Sequence, residues 1–256
     1  MSVHILVESG DDPHTFDPAP REMALLSRAD VYFRIGVPFE DTLVAKLSRS
    51  IGELNVVDMH RGIDRRMVEA SEGADGHGPT RIGRPDPHCW LDPRLARAMV
   101  INVRDELARL DPQNASVYEH NARRVVSDLA AVDRSLAATL APLKGRDILV
   151  FHPAFGYFTD RYGLRQVAIE TEGKSPTSRQ LAHVIEQAKR MGAKVIFVQP
   201  QFSSRAAEAI AREIDGAVVP MDPLAPDYIG NLQRMAEIIR EQLEQAATAR
   251  AGGDDG

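Results

Sequence analysis

The chain has little cysteine, no long apolar segment and no excess of basic residues. Its 256 residues include one cysteine, Cys89, so no disulfide can form within the chain. No apolar segment approaches the ~20 residues that a membrane-spanning helix needs. The N-terminal residues lack a basic segment followed by an apolar one, so we expect no signal peptide in the chain as given. The net charge is −6 and no basic stripe is present, so we expect no nucleic-acid partner.

Short apolar segments alternate with amphipathic ones, which is typical of parallel sheets flanked by helices in an α/β protein. The predicted strands of the first half are at 3–7, 31–35 and 54–59, and its predicted helices are at 19–29, 39–50 and 94–109. The predicted strands of the second half are at 147–151, 164–169, 194–198 and 217–221. A predicted helix follows each of these strands, at 154–163, 178–192, 204–216 and 226–247.

One long helix is predicted between the two halves, within residues 112–143. Apolar residues recur there at three- and four-residue steps, and Pro112 suits a first helical turn. A helix of about 28 residues is roughly 42 Å long. We therefore expect a rigid rod between two lobes, with the following division: N-terminal lobe 1–111, linking helix 112–143, C-terminal lobe 144–247 and disordered tail 248–256.

Two segments repeat an Asp-Pro-His motif, "DDPHTFDP" at Asp11–Pro18 and "DPHCWLDP" at Asp86–Pro93. His152 follows a predicted strand and precedes Pro153, and Asp222 follows another predicted strand and precedes Pro223. Proline restricts its own backbone and that of the residue before it, which fixes a ligand in place before metal binds. In open α/β sheets, ligands bind beyond the carboxyl ends of the strands.

The sequence therefore predicts a metal site made of His14, His88, His152 and Asp222. Three imidazoles and one carboxylate suit tetrahedral Zn²⁺, with Mn²⁺ and Fe²⁺ as alternatives. A single histidine in a turn is usually a surface residue, so the prediction depends on the shared context of all four. Of the other candidates, His60 and His77 are predicted to be solvated beside a mobile loop at 60–85, with a metal-delivering role for His77 as an alternative. Cys89 is expected to point away from His88, and His4 to pack in a sheet.

These motifs resemble the zinc/manganese-binding solute-binding proteins of ABC importers, over residues 3 to 245. The matching segments are DPHTFDPAPREMALLSRADVYFRIG, DPHCWLDP, HPAFGYFTDRYGL, VQPQFS and MDPLAPDYIGNL. The resemblance implies two α/β lobes, a long connecting helix and limited lobe closure. It also implies a metal held between the lobes by His14 and His88 from one side and His152 and Asp222 from the other. A membrane permease as partner, a periplasmic or other extracytoplasmic location and a monomeric state are expected with it.

The sequence departs from that family pattern in several places. We expect the N-terminal lobe to lack a first strand and helix, and the 60–85 segment is poor in histidine. Pro153 and Gln199 stand where relatives carry acidic residues, which removes negative charge near the cleft.

Two other functions use the same residues. A metal-dependent enzyme would need an open coordination position and a general base, and no H-E-x-x-H or G-x-S-x-G motif is present. We therefore expect a binding protein and not an enzyme. An adhesin that keeps the metal fold for stability is the third interpretation.

Overall fold

The protein is described from a computed structural model, which covers residues 2–8, 10–50, 54–68, 85–170 and 177–251. Most of the loop predicted to be mobile, with His77, lies outside these ranges. Within them, no helix combines the length and the apolar character needed to cross a membrane.

The N-terminal part forms a small sheet between two layers of helices. Its two strands, β1 (Val31–Arg34) and β2 (Asn55–Asp58), pair in parallel. Its helices are α1 (Pro20–Leu26), α2 (Pro38–Ser50) and α3 (Pro93–Leu110). A cluster around Leu26, Leu43 and Leu47 packs α1 and α2 on the sheet, and a second cluster around Met59 and Met99 packs α3.

The predicted strand at 3–7 is wrong. These residues have no strand conformation, and the side chains of Val3 and Ile5 are 77% and 78% exposed. A strand is stable only when its backbone groups pair with a neighbour, and β1 pairs with β2 alone in the described sheet. His4 is accordingly exposed and does not pack in a sheet.

The C-terminal part contains a four-stranded parallel sheet in the order β4-β3-β5-β6. The strands are β3 (Asp147–Val150), β4 (Arg165–Ala168), β5 (Val195–Val198) and β6 (Ala217–Pro220). The helices are α5 (Gly156–Tyr162), α6 (Ser178–Met191), α7 (Arg205–Glu213) and α8 (Tyr228–Ala251). All four predicted strand–helix units are confirmed. Helix α8 extends four residues beyond the predicted end at 247.

Helices cover both faces of this sheet, and side chains alternate between the faces along each strand. Ile148, Val150 and Phe197 point into a core formed with the long helix, α5 and α8. Leu149 and Ile196 point into the opposite core, formed with α6 and α7. The carboxyl ends of the strands remain open at one edge, which is where His152 and Asp222 follow β3 and β6.

The predicted long helix is confirmed as α4 (Ala115–Leu140), 26 residues and therefore about 39 Å long. Short 3₁₀ turns extend it at both ends, Pro112–Asn114 and Ala141–Leu143. It packs against α3 of the N-terminal part and α8 of the C-terminal part. The two-lobe α/β architecture is thus as predicted, while the lobe boundaries given above stay a prediction.

A buried carboxylate on α4 is hydrogen-bonded to one helix of each lobe. Asp133 accepts hydrogen bonds from Arg94 of α3 at 3.2 Å and from Arg161 of α5 at 2.7 and 3.0 Å. The hydroxyl of Tyr162 donates a further bond at 3.2 Å. Burial would raise the pKa of Asp133, but the bonds from the two arginines outweigh it and the pKa is lowered. Asp133 therefore links α3 and α5 to the long helix.

We expect Asp133→Asn to lower the free energy of unfolding by about 1–3 kcal/mol, because the partly buried bonds from Arg94 and Arg161 lose their charged acceptor. Urea denaturation measures this change. The matched control is Glu119→Gln, which removes an exposed carboxylate of the same helix that pairs with Arg104 and Arg123. An exposed pair contributes about 0–1 kcal/mol. Equal effects of the two substitutions would contradict the tying role of Asp133.

Candidate metal centre

Three of the four predicted ligands meet at the open edge of the large sheet. One ligand atom from each of His14, His88 and His152 lies within 4.8 Å of the others. His14 belongs to the loop before α1, His88 directly precedes a 3₁₀ turn at Cys89–Leu91, and His152 follows β3. Residues separated by up to 138 positions thus form one cluster between the lobes.

The repeated Asp-Pro-His motif makes the same side-chain hydrogen bond twice. The backbone N–H of His14 donates to Oδ1 of Asp12 at 2.9 Å, and that of His88 donates to Oδ1 of Asp86 at 3.0 Å. An aspartate that accepts from the residue two positions later forms a stable local turn, and the proline between them restricts it further. The motif therefore sets the direction in which each histidine leaves the backbone.

His152 is held in place by three different contacts. Its backbone N–H and C=O pair with the side-chain amide of Gln199, at 3.2 and 2.8 Å. Its Nδ1 is hydrogen-bonded to Oε1 of Glu170, the second residue after β4. The ring of Phe202 stacks on the imidazole with 4.9 Å between centroids. A glutamate in place of Gln199 would lose the N–H donor to the His152 carbonyl.

The hydrogen bonds of two histidines determine which nitrogen faces the centre of the cluster. Nδ1 of His88 donates to Asp86 at 2.7 Å, and Nδ1 of His152 donates to Glu170. In the neutral rings both Nε2 atoms then carry bare lone pairs. These two atoms lie 3.4 Å apart. Two nitrogens bound to one tetrahedral Zn²⁺ at 2.0–2.1 Å are about 3.3–3.4 Å apart, so the geometry fits zinc.

Burial keeps the His88 ring neutral. The residue is 5% exposed, and its pKa is lowered because burial penalises the imidazolium, although Asp86 opposes the shift. Burial would raise the pKa of Asp86, yet the bonds from His88 and the charge of Arg66 lower it overall. Arg66 Nη1 lies 3.2 Å from Oδ2 of Asp86. The outcome is a neutral imidazole beside an ionised carboxylate.

The segment that carries His88 is tied directly to the C-terminal lobe. The indole N–H of Trp90 donates to the carbonyl of Pro223 at 3.0 Å, and the hydroxyl of Tyr228 donates to the carbonyl of Trp90 at 2.5 Å. The hydroxyl of Tyr157 donates to the carbonyl of Asp86 at 3.1 Å. His88 and His152 are therefore positioned against one another by the same packed structure.

His14 is the more accessible member of the cluster. It is half-buried, whereas His88 and His152 are buried. A cavity of about 390 Å³ lies beside it, between the loop at 14–18 and helices α1 and α2. Its walls are mainly apolar, from residues such as Phe16, Met23 and Phe39. Of the three clustered histidines, His14 is the one that lines this cavity.

Asp222 is not among the ligand atoms that cluster within 4.8 Å in the described residues. Its Oδ1 accepts hydrogen bonds from the side chain of Gln201 and the backbone N–H of Leu224, both at 2.9 Å. Its carbonyl accepts from Asn231 at 2.7 Å. These contacts fix Asp222 beyond the end of β6, and its role as fourth ligand stays a prediction.

Two further residues near the centre have structural roles. His60 was expected to be solvated, but it is 4% exposed and its Nε2 lies 3.2 Å from the carbonyl of Pro87. That expectation is wrong because the chain after β2 turns inward beneath the His88 segment. Cys89 points away from the cluster as expected, with Sγ 3.6 Å from Sδ of Met99. Burial raises the pKa of the Cys89 thiol to about 12, so it is a poor metal ligand.

Glu170, whose carboxylate orients His152, was not predicted from the sequence. Glu170 follows β4, and β4 lies next to β3 in the sheet. Polar residues that follow adjacent parallel strands share one edge of the sheet, so this position was open to prediction. Arg66 carried no comparable signal, because its partner Asp86 is 20 positions away and no local pattern connects the two.

Comparisons with known proteins agree with this geometry. A family model described as "ZnuA: Zinc-uptake complex component A periplasmic" matches residues 1–242. The chain is 30% identical over 220 residues to the "High-affinity zinc uptake system protein ZnuA" of Bacillus subtilis (strain 168), covering 83% of this chain and 68% of that protein. It is 26% identical to the "Zinc-binding protein AdcA" of Streptococcus pyogenes serotype M6 over 94% of this chain, and spans 50% of that protein's length.

A solved structure shares the architecture. The "Crystal structure of ZnuA" superposes with a TM-score of 0.85 at 35% identity, covering 94% of this chain and 90% of that one. The resemblance noted in the motifs is therefore confirmed over most of the chain. The chain belongs to the family of ZnuA, the periplasmic component A of zinc-uptake complexes.

Proposed function

We propose that the protein binds one Zn²⁺ between its lobes and delivers it to the permease of an ABC importer. His14, His88 and His152 supply three neutral nitrogen ligands in this proposal. The curated relatives described above are named for zinc uptake and zinc binding, which supports zinc as cargo.

The observation that carries the proposal is the pair of Nε2 atoms 3.4 Å apart. Both Nδ1 atoms donate to carboxylates, so neither Nε2 has a proton to share with the other in the neutral rings. Two facing lone pairs repel one another, and burial keeps water from separating them. A cation between them converts this repulsion into two metal–nitrogen bonds.

A fourth ligand would complete the tetrahedral shell, and we assign Asp222 to that position. Its Oδ1 is engaged by Gln201 and Leu224, so Oδ2 is the oxygen that would turn to the metal. The residue after Asp222, Pro223, already contacts Trp90, two positions after His88, which places Asp222 on the side of the cleft that faces His88. A filled shell suits binding and release of the ion and leaves no position for a reacting substrate.

A stiff α4 and the Asp133 contacts limit how far the lobes can separate. We therefore propose that release to the permease proceeds by a small rearrangement around His14, the half-buried ligand, and not by wide opening. An extracytoplasmic location and a monomeric state belong to the same proposal, as does a function without enzymatic turnover.

We expect His88→Ala to weaken zinc affinity by at least a hundredfold, because one of two opposed nitrogens is lost from a closed shell. Competition against a chromophoric chelator measures the dissociation constant. His120→Ala is the matched control, since His120 lies exposed on α4 and should leave the affinity unchanged. If the alanine variants of His14, His88 and His152 all bind zinc like the parent, the site assignment is wrong.

Zinc affinity should fall as the pH is lowered, because a protonated imidazole cannot ligate. The pKa of His88 is lowered by burial, so His88 keeps its lone pair to a lower pH than an exposed histidine does. We therefore expect the affinity to change little from pH 8 to pH 7 and to fall steeply below about pH 6. Titrations at fixed ionic strength measure this; an affinity that rises on acidification would contradict imidazole ligation.

A further inference from the structure

Glu170 is a buried carboxylate that touches the metal centre only through a histidine. It is 2% exposed, and its Oε1 accepts the Nδ1–H of His152. The opposite nitrogen of the same ring, Nε2, faces His88. Glu170 thus lies one imidazole ring away from the position of the metal and cannot bind it directly.

The second oxygen of Glu170 has no hydrogen-bond partner among the described residues, although it is buried. Asp86 occupies the corresponding position behind His88, but its second oxygen pairs with Arg66 at 3.2 Å. Asp86 is also satisfied twice at its Oδ1, by the backbone and the ring of His88. The two histidine rings are therefore oriented alike. The negative charge of Asp86 is balanced by Arg66, whereas the second oxygen of Glu170 has no hydrogen-bond partner among the described residues.

A buried carboxylate without a balancing cation is unfavourable, because burial removes the water that would stabilise its charge. Three neutral imidazoles bring no charge to the metal either. A divalent cation placed one ring away from Glu170 balances that charge at short range in a site of low dielectric constant. Hydrogen bonding to the carboxylate also increases the electron density that His152 offers to the metal.

We propose that Glu170 is a positioning residue for the zinc site, which fixes the Nδ1–H tautomer of His152 and supplies a negative charge that the bound cation balances. This inference depends on the proposed function. It assigns part of the zinc affinity to a residue that contacts no metal, and it gives a role to a glutamate that lies in a nearly solvent-free position.

The test separates the charge of Glu170 from its hydrogen bond. Glu170→Gln keeps an oxygen that accepts the Nδ1–H of His152 and removes the charge. Glu170→Leu removes both. Zinc dissociation constants come from chelator competition, the stability of the metal-free protein from thermal unfolding, and the tautomer of His152 from the ¹⁵N shifts of its ring nitrogens.

We expect Glu170→Gln to weaken zinc binding about 10- to 100-fold, the range found for groups that orient metal ligands. Its metal-free stability should equal or exceed that of the parent, because an unbalanced buried charge is gone, and the Nδ1–H signal should remain. Glu170→Leu should bind still more weakly and show both tautomers. Asp147→Asn is the control for charge removal alone, since Asp147 lies at the opposite end of β3 and should bind zinc within twofold of the parent.

Zinc binding by Glu170→Gln within threefold of the parent would overturn the inference. A loss of affinity matched by a loss of metal-free stability would also overturn it, because it would show a merely structural role. Failure of the parent protein to bind zinc would instead reject the proposed function, so the two failures are distinguishable.

Discussion

The candidate metal centre depends on two hydrogen bonds that point away from it. Nδ1 of His88 and Nδ1 of His152 each donate to a buried carboxylate, and this leaves their Nε2 lone pairs opposed at 3.4 Å. Much of the surrounding structure serves to hold that arrangement. The Asp-Pro-His turn fixes the backbone before His88, and the Gln199 amide fixes the backbone of His152. Without these supports the facing lone pairs would turn apart, and the centre would lose its spacing for a tetrahedral ion.

Contacts between the two lobes also hold the histidines in position. The contacts of Trp90 with Pro223 and Tyr228, and of Asp133 with Arg94 and Arg161, join elements that come from both sides of the cleft. These contacts position His88 and His152 as one unit before metal arrives. Because less reorganisation is then needed on binding, more of the metal–ligand energy appears as affinity. His14 is the most exposed of the three histidines and lies beside an open cavity.

The sequence predicted the large sheet and the long helix well, because their apolar periodicity is strong and each strand is followed by its own helix. It failed at 3–7, where an apolar segment with Val3 and Ile5 has no neighbouring strand to pair with. The three histidines that cluster were singled out from local signals, proline beside histidine in two repeated turns and after β3. Glu170 and Arg66 escaped because their importance arises from contacts between distant segments, and His60 was misjudged because nothing local shows that it packs under Pro87.

X-ray absorption at the zinc edge, recorded on the protein loaded with one equivalent of Zn²⁺, tests the central claim most directly. The arrangement of His14, His88 and His152 predicts a four-coordinate ion with imidazole scattering from three rings and first-shell distances of about 2.0–2.1 Å. A spectrum showing sulfur at about 2.3 Å, or six oxygens and no imidazole, would contradict it.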